Sequence, residues 1–328
     1  MSLSFRAGLA AVNLGVGALL AASVVLARVP VAAVPVAAVP VAAVPLSAVP
    51  PPRPVRSPAA FAAGSVEWRP EFRRVAWPEY VGAPLLLTGA FVQSFFFQPE
   101  TEADWTGPIL LDRPVQNAVR ASSPSARSRA NGVSNVLLYG SALHLALVDP
   151  WIVAAWIHHR PDVAWQMTVI DAEIFGLSEF TNRLTKRLVG RERPYGGRCE
   201  LDPDIANCSS EARYRSFFSG HATASSTFAG LTCAHHQKLA LYGSLGADLA
   251  ACAGSVGVTL TTGLLRVASD DHWWSDVVAG HLVGFSAGYL LTWALYYRGT
   301  AAPSESGRPL LVPIMGSGVL GLALGGQL

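Results

Sequence analysis

Residues 164–188 read AWQMTVIDAEIFGLSEFTNRLTKRL, a largely apolar run that is too long for a strand. Segments of comparable length recur along the chain, and the breaks between them carry proline, glycine or clusters of charge, which end helices. The pattern predicts helices at Pro84–Phe97, Val136–Ile157, Ala164–Leu188, Ala222–His235, Leu241–Leu265 and Trp273–Tyr297, with a shorter surface helix over Pro114–Ala121. The expected fold class is all-α, an up-and-down helical bundle.

The first 28 residues are typical of an export segment. Arg6 precedes an apolar run from Ala7 to Ala27, and small residues stand near the end of that run. A cleaved signal peptide has this pattern, and an uncleaved membrane anchor has a run of this length. Both alternatives place the rest of the chain outside the cytoplasm, which predicts an exported protein at the periplasmic face of the inner membrane.

Low-complexity sequence separates this segment from the helices. Within residues 29–65 the unit VAAVP recurs with a proline every fifth residue, which forbids a continuous helix and favours an extended tether. The helical domain is then expected over residues 66–300. Residues 301–328 form a tail in which two short apolar runs flank residues 316–318, GSG, a pattern typical of a β-hairpin.

The composition favours contact with a membrane. Hydrophobic residues make up 51% of the chain and charged residues 14%, whereas a typical soluble domain is about 25% charged. The formal net charge is only +2 and no basic stripe with interleaved aromatic residues occurs, so nucleic acid is not an expected partner. Acidic residues such as Asp171 and Glu173 inside a predicted helix are costly in lipid. They favour an exported bundle attached to the membrane, or lying against it, over a protein that crosses it six times.

The four cysteines fall into two pairs with different surroundings. Cys199 and Cys208 lie close together in a polar stretch, and in an oxidising compartment they could close a small loop. Cys233 and Cys252 lie in apolar segments, which predicts buried thiols.

No metal or other cofactor is expected. The cysteine and histidine spacings do not suggest a structural zinc site. The pairs His158–His159 and His235–His236 fall at predicted helix ends, where surface histidines are expected rather than metal ligands.

Three short polar clusters stand in order between the predicted helices. The first, residues 186–194, reads KRLVGRERP and places a lysine six residues before Arg-Pro. The second, residues 218–221, reads FSGH. The third consists of Arg266, five further residues, His272, three further residues and Asp276. In an up-and-down bundle, all three clusters lie at the same end.

Together these clusters resemble the signature of the type 2 phosphatidic acid phosphatase superfamily, which also contains bacterial acid phosphatases and vanadium haloperoxidases. That signature is Lys-x6-Arg-Pro, then Pro-Ser-Gly-His, then Ser-Arg-x5-His-x3-Asp. The resemblance covers residues 186–276 and implies the helical bundle of that superfamily and a phosphoric ester hydrolase. Phe218 replaces the proline of the second motif and Leu265 replaces the serine of the third. Neither is a residue that the chemistry must use, so these departures bear on efficiency more than on reaction type.

The residue types of the clusters suit a phosphate site. Phosphoryl transfer spreads charge over the equatorial oxygens, so catalysis depends mostly on positioning and electrostatics. Arg193 and Arg266 can bind phosphate oxygens bidentately, and Lys186 adds a point charge. Ser219 can donate its hydroxyl, and Gly220 allows close approach of a backbone N–H where a helix begins, which is a ready anion site.

The resemblance assigns the chemistry to two histidines. His272 and Asp276 are four apart, which on a helix places them on one face, so Asp276 can hold the Nδ1 proton and leave the other nitrogen as the nucleophile. His221 would protonate the leaving oxygen and later activate water, with no metal required. Asp270 and Asp271 are expected to point to solvent or to raise the basicity of the imidazole.

Four functions remain open at this point. The first is a hydrolase of lipid phosphates or pyrophosphates, acting at the membrane by phosphohistidine catalysis. The second is a broad-specificity, soluble, exported acid phosphatase with the same site. The third is a vanadate-dependent haloperoxidase that holds vanadate in the same pocket, although such enzymes are usually much longer. The fourth is a non-catalytic, membrane-tethered protein with a vestigial site. The sequence does not define the oligomeric state.

Overall fold

A computed structural model describes residues 66–95, 102–199, 208, 211–299, 310–316 and 319–325. The expectations for residues 1–28 and 29–65 lie outside the described residues. The helices are α1 (Trp77–Phe95), α2 (Asp112–Val119), α3 (Pro124–Leu143), α4 (Pro161–Val189), α5 (Gly196–Cys199), α6 (Gly220–Leu239), α7 (Leu245–Ala268) and α8 (Trp274–Phe285). Helix α3 continues as a π-helix over His144–Ile157, and α8 continues through π-helical turns at Ser286–Leu291 and Trp293–Tyr297. The predicted helical bundle is confirmed.

Helices α1 and α3 begin earlier in the chain than the sequence predicted. Helix α3 begins well before Val136 because Ser123 caps it: the Ser123 hydroxyl accepts a 3.2 Å hydrogen bond from Ala126 N, and Pro124 occupies the first turn. Helix α1 begins at Trp77 and contains Pro84, which the sequence had suggested as its first residue.

The predicted C-terminal hairpin is also confirmed. Strand β1 (Leu310–Gly316) pairs antiparallel with β2 (Val319–Gly325), with Leu310 opposite Gly325.

Helix α6 lies at the centre of the bundle, and most of its residues are buried. Its neighbour α8, with the turns that extend it, packs directly on the α6 backbone. A Cβ added at Gly284 would overlap the carbonyl oxygen of Thr223, and one added at Gly288 would overlap that of Thr227. Small residues at such contacts let helix backbones approach closely. This close packing brings the start of α8 beside the start of α6, where two of the polar clusters lie.

The end of α4 turns the first cluster back toward the bundle. Gly190 adopts a left-handed conformation with φ of 52°, and its N–H bonds to Lys186 O at 3.2 Å. This is the usual helix C-cap that glycine permits. The chain then reverses, so that Lys186 on the helix and Arg193 beyond it lie at one end.

The four cysteines form two disulfide bonds. Cys199 is bonded to Cys208, as the polar spacing allowed, and Cys233 is bonded to Cys252. The expectation of two buried thiols is therefore wrong for the second pair. The reason is long-range: consecutive helices α6 and α7 place these two apolar positions side by side.

Histidines 235 and 236 are also not at the surface. His235 is fully buried, with Nε2 2.8 Å from Asp171 Oδ1. His236 lies between Asp248 at 2.6 Å and Asp149 at 3.3 Å. Asp171, an acidic residue of α4 that would be costly in lipid, is thus paired with His235 inside the protein.

Within the part of the chain that the structure describes, three helical segments are long and apolar enough to cross a membrane: Pro124–Ile157, Leu245–Ala268 and Trp274–Tyr297. They also expose large apolar side chains, including Val136 and Leu282. These features fit association with a membrane.

Candidate active site

The first two clusters meet where α4 ends and α6 begins. Lys186 lies in the last turn of α4, and a Cβ added at Gly220 would lie 3.1 Å from its Nζ. Ser219 is the N-cap of α6, with its hydroxyl accepting from Ala222 N at 3.4 Å. Asn182 of α4 donates to Phe218 O at 3.0 Å and so ties α4 to this cap. The residues of both clusters that were predicted to bind phosphate therefore share one end of the bundle.

The third cluster joins them through the backbone. Ser219 N donates to Asp276 O at 3.0 Å. Arg266 lies in the last turn of α7, and His272 lies in the turn before α8. The expectation that His272 and Asp276 share one helix face is wrong, because α8 begins only at Trp274. The two residues are nevertheless close, with His272 Nδ1 3.7 Å from Asp276 Oδ2.

The hydrogen bonds of the Asp276 carboxylate go to groups other than His272. It accepts from Arg191 Nη1 at 2.6 Å, from Ser216 Oγ at 2.5 Å and from Trp273 N at 2.9 Å. Nδ1 of His272 is buried without a hydrogen-bond partner among the described residues. Asp276 thus presents a fixed carboxylate to the ring, and such contacts often shorten only when substrate binds.

Arg191 was not singled out in the sequence, where it lies between Lys186 and Arg193. Its side chain is fully buried and binds Asp112 of α2 at 2.7 Å as well as Asp276. Its guanidinium also lies 3.9 Å from the ring centre of Trp105. Arg191 therefore links α2 to the first turn of α8.

Asp271 connects the two arginines that were predicted to bind phosphate. Its carboxylate lies 3.3 Å from Arg193 Nη1 and 3.1 Å from Arg266 Nη2. Asp270 is buried and pairs with Arg120 and Arg198. The expectation that these aspartates point to solvent is wrong, because the arginines around them supply partners.

Helix α3 contributes three further polar side chains. Arg266 Nη1 donates to Ser134 Oγ at 3.2 Å and to Asn131 Oδ1. Nε2 of His221 lies 2.7 Å from Asn135 Oδ1. Positions 131, 134 and 135 share one face of a helix. That spacing of polar residues on one helix face is the one signal by which the sequence could have indicated that they act together.

Comparison with known families agrees with this geometry. Residues 169–300 match the PAP2 superfamily. The predicted resemblance is thereby confirmed, and it supports a phosphatase-type activity at the level of the superfamily. No curated protein and no solved structure matches the chain. Helices α1, α2 and α3 lie outside the matched segment.

The surroundings lower the pKa of both site histidines. Burial, with Arg193, Lys186 and Arg266 close by, lowers the pKa of His272 well below its usual 6.5. Burial and the same three cations lower the pKa of His221 to about 3. A nucleophilic imidazole must be unprotonated. The lowered pKa therefore favours the form of His272 that a nucleophile would need.

Lys186 responds to the same surroundings. Burial and Arg193 lower the pKa of its ammonium from 10.5 to about 7, although Glu179 acts in the opposite direction. A bound dianion would favour the charged ammonium. Oxyanion binding to this site should therefore be coupled to proton uptake by Lys186.

Sulfate affinity is accordingly expected to fall as the pH rises through the Lys186 pKa, by up to about tenfold per pH unit for one linked proton. Sulfate keeps its charge in this range. Proton uptake by His221 remains in the Lys186 variants, so the difference in slope between them and the wild type isolates Lys186. Calorimetric titration from about pH 6 to about pH 8 measures the effect. Lys186→Arg should bind with a smaller pH dependence than the wild type because it stays charged, and Lys186→Met should bind weakly at every pH. A wild-type slope that survives in Lys186→Met would contradict the assignment.

One cavity of about 810 Å³ opens onto this site. Its cationic end carries Lys186 and Arg193, beside Gly220 and His221, whereas the buried His272 and Arg266 are not among the lining residues. Its remaining walls combine charged side chains, such as Glu179 and Arg215, with apolar ones. The apolar side chains come from α3, α4 and α6: Leu138, Tyr139, Ala142, Phe175, Ala224 and Phe228. The cavity can thus accommodate a phosphate group and an attached apolar group together.

Proposed function

We propose that this protein hydrolyses phosphoric monoesters of lipids, or lipid pyrophosphates, through a phosphohistidine formed on His272. The observation that carries the proposal is the cavity, in which a cationic, motif-lined end continues into apolar walls. A free phosphate or a nucleotide needs no apolar surface of this extent. An acyl or isoprenoid chain does, because burying apolar area from water is favourable.

In the first step, Nε2 of His272 attacks phosphorus and the P–O bond to the leaving group breaks. Arg193, Arg266 and Lys186 meet the charge that spreads over the three equatorial oxygens. The Ser219 hydroxyl and the first N–H groups of α6 add donors. Asp276 stabilises the imidazolium that forms on His272. His221, protonated once the dianion offsets the surrounding cations, gives its proton to the leaving oxygen.

In the second step, the now neutral His221 takes a proton from water, and the resulting hydroxide attacks the phosphohistidine. The P–N bond breaks and inorganic phosphate leaves. The net reaction is one monoester plus one water giving one alcohol plus one phosphate. Because arginine and lysine provide the positive charge, we expect the reaction to proceed without a metal ion.

We further infer that the domain works outside the cytoplasm, at the periplasmic face of the inner membrane. Two disulfide bonds support this location, because such bonds persist mainly in oxidising compartments. The three apolar helical segments support attachment to the membrane at that location.

The test is release of inorganic phosphate from a short-chain phosphatidic acid and from p-nitrophenyl phosphate, with EDTA present. The expected result is release from both, with kcat/KM at least about tenfold higher for the lipid because its chains bind the apolar walls. Equal values would favour the broad-specificity phosphatase. If folded protein released phosphate from neither substrate nor from a lipid pyrophosphate, the proposal would fail. Vanadate-dependent halide oxidation and then a vestigial site would be tested next.

A further inference from the structure

Helix α3 lies outside the matched family segment, yet one of its faces lines the reactive end of the site. Asn131 and Ser134 contact Arg266, while Asn135 contacts His221. One and two turns further along the same helix, Leu138 and Ala142 line the apolar part of the cavity. A single helical stripe thus runs from the reacting groups to the surface that would hold the apolar part of a substrate.

We propose that Asn135 is a positioning residue for His221: it holds a proton on Nε2, so that the proton transferred in catalysis is the one on Nδ1. The proposal rests on the proposed function, since it concerns the acid and base of that reaction. Its basis is the 2.7 Å contact between His221 Nε2 and Asn135 Oδ1. An amide oxygen accepts hydrogen bonds and does not take up a proton at physiological pH.

The neutral character of Asn135 decides what it does to the ring. In a neutral imidazole, one nitrogen carries hydrogen and the other is an acceptor. With Nε2–H donated to Asn135, Nδ1 is bare in the neutral ring and protonated in the imidazolium. Asn135 can accept the same bond in both states, so the ring does not have to rotate between giving its proton to the leaving group and taking one from water.

A carboxylate at this position would act differently. His221 is surrounded by cations from three other parts of the chain: Lys186 of α4, Arg193 after it and Arg266 of α7. Glu179 of α4 also lines the cavity. A carboxylate at position 135 would stabilise the imidazolium against those cations and would favour retention of the proton. The amide orients the ring without stabilising the imidazolium in this way, so release of the proton is not made harder.

The kinetic test compares Asn135→Ala, Asn135→Asp and the control Ser128→Ala, an exposed position on the same helix. Asn135→Ala should lower kcat for an alkyl phosphate about 10- to 100-fold, with little change in KM, as expected for a weakened general acid–base. With p-nitrophenyl phosphate, whose leaving group needs little protonation, the same variant should give a burst of p-nitrophenol equal to the enzyme concentration. Slow turnover should follow, because the water-activating step is impaired.

Asn135→Asp should recover part of the lost activity, with the pH profile shifted to higher pH. Ser128→Ala should match the wild type. If both Asn135 variants lost activity in proportion to lost stability, with the wild-type pH profile and no burst, the residue would be merely structural and the proposal would be overturned.

A measurement independent of turnover separates this proposal from the proposed function. Nitrogen-15 NMR of histidine-labelled protein, with His221 assigned from a His221→Gln variant, shows which ring nitrogen carries the proton. The expected result is one tautomer with hydrogen on Nε2 in the wild type and a mixture in Asn135→Ala. Hydrogen on Nδ1 in the neutral wild-type ring would overturn the positioning role even in an active enzyme. The expected tautomer in a protein that hydrolyses no phosphate ester would instead count against the proposed function.

Discussion

Replacing His272 with glutamine is expected to lower phosphate release by about 10⁴-fold or more, because the covalent route through phosphohistidine is lost. Glutamine keeps much of the size and polarity of histidine at a buried position. The residual rate should reflect binding and charge stabilisation by Arg193, Arg266 and Lys186 alone. Sulfate should still bind, since none of these cations is changed.

Three measurements check this prediction: the rate of phosphate release, sulfate affinity, and radiolabelled enzyme trapped after brief exposure to labelled substrate. The wild type should carry label that is stable in base and lost in acid, as for a phosphoramidate, and His272→Gln should carry none. The control is His159→Asn, an exposed histidine with φ of 55°, a left-handed conformation that asparagine also tolerates. A His272→Gln variant that turned over within about tenfold of the wild-type rate would exclude His272 as the nucleophile.

The fold was predictable because its signals are local. The helices follow from the length of each apolar run and from the breaks between runs, and the end of α4 follows from one glycine. The gathering of Lys186, His221 and Arg266 at one end follows from the alternation of an up-and-down bundle. The motif spacings then indicate which residues in these segments form the candidate site, which is why most of that site could be named from the sequence.

The features that the sequence did not predict depend on contacts between distant segments of the chain. Nothing near Asn135 shows that it faces His221, since that depends on how α3 packs against α6. Cys233 and Cys252 look like core residues until α6 and α7 are placed side by side. The shared-face prediction for His272 and Asp276 failed for another reason. Their spacing is helical, but the turn that carries His272 ends before the helix begins.

Arg191 is the clearest example of a residue whose partners lie in distant segments of the chain. In a run of basic residues it has the pattern of a solvated loop, and only the packing of α2 shows its partners. Asp112 accepts from Arg191 at 2.7 Å, and from the N–H of Ser275 at 2.7 Å. Asp276 accepts from the other arm of the same guanidinium. One buried cation thus holds two buried carboxylates, one of them beside the proposed nucleophile.

Arg191→Met is expected to lower the free energy of unfolding by about 3–5 kcal/mol, because it leaves Asp112 and Asp276 buried without their cation. Adding Asp112→Asn should restore part of the loss, since one uncompensated charge is removed, and a double-mutant cycle measures the coupling. The exposed Arg113→Met is the control and should change the free energy by less than about 0.5 kcal/mol. Denaturant unfolding in a mild detergent gives the free energies for the wild type, Arg191→Met, Asp112→Asn, the double variant and the control. A loss below about 1 kcal/mol for Arg191→Met would mean that water or another group reaches the carboxylates. Ser216 and the N–H of Trp273 would then be enough to hold Asp276 beside His272, and the role of Arg191 in fixing that carboxylate would have to be abandoned.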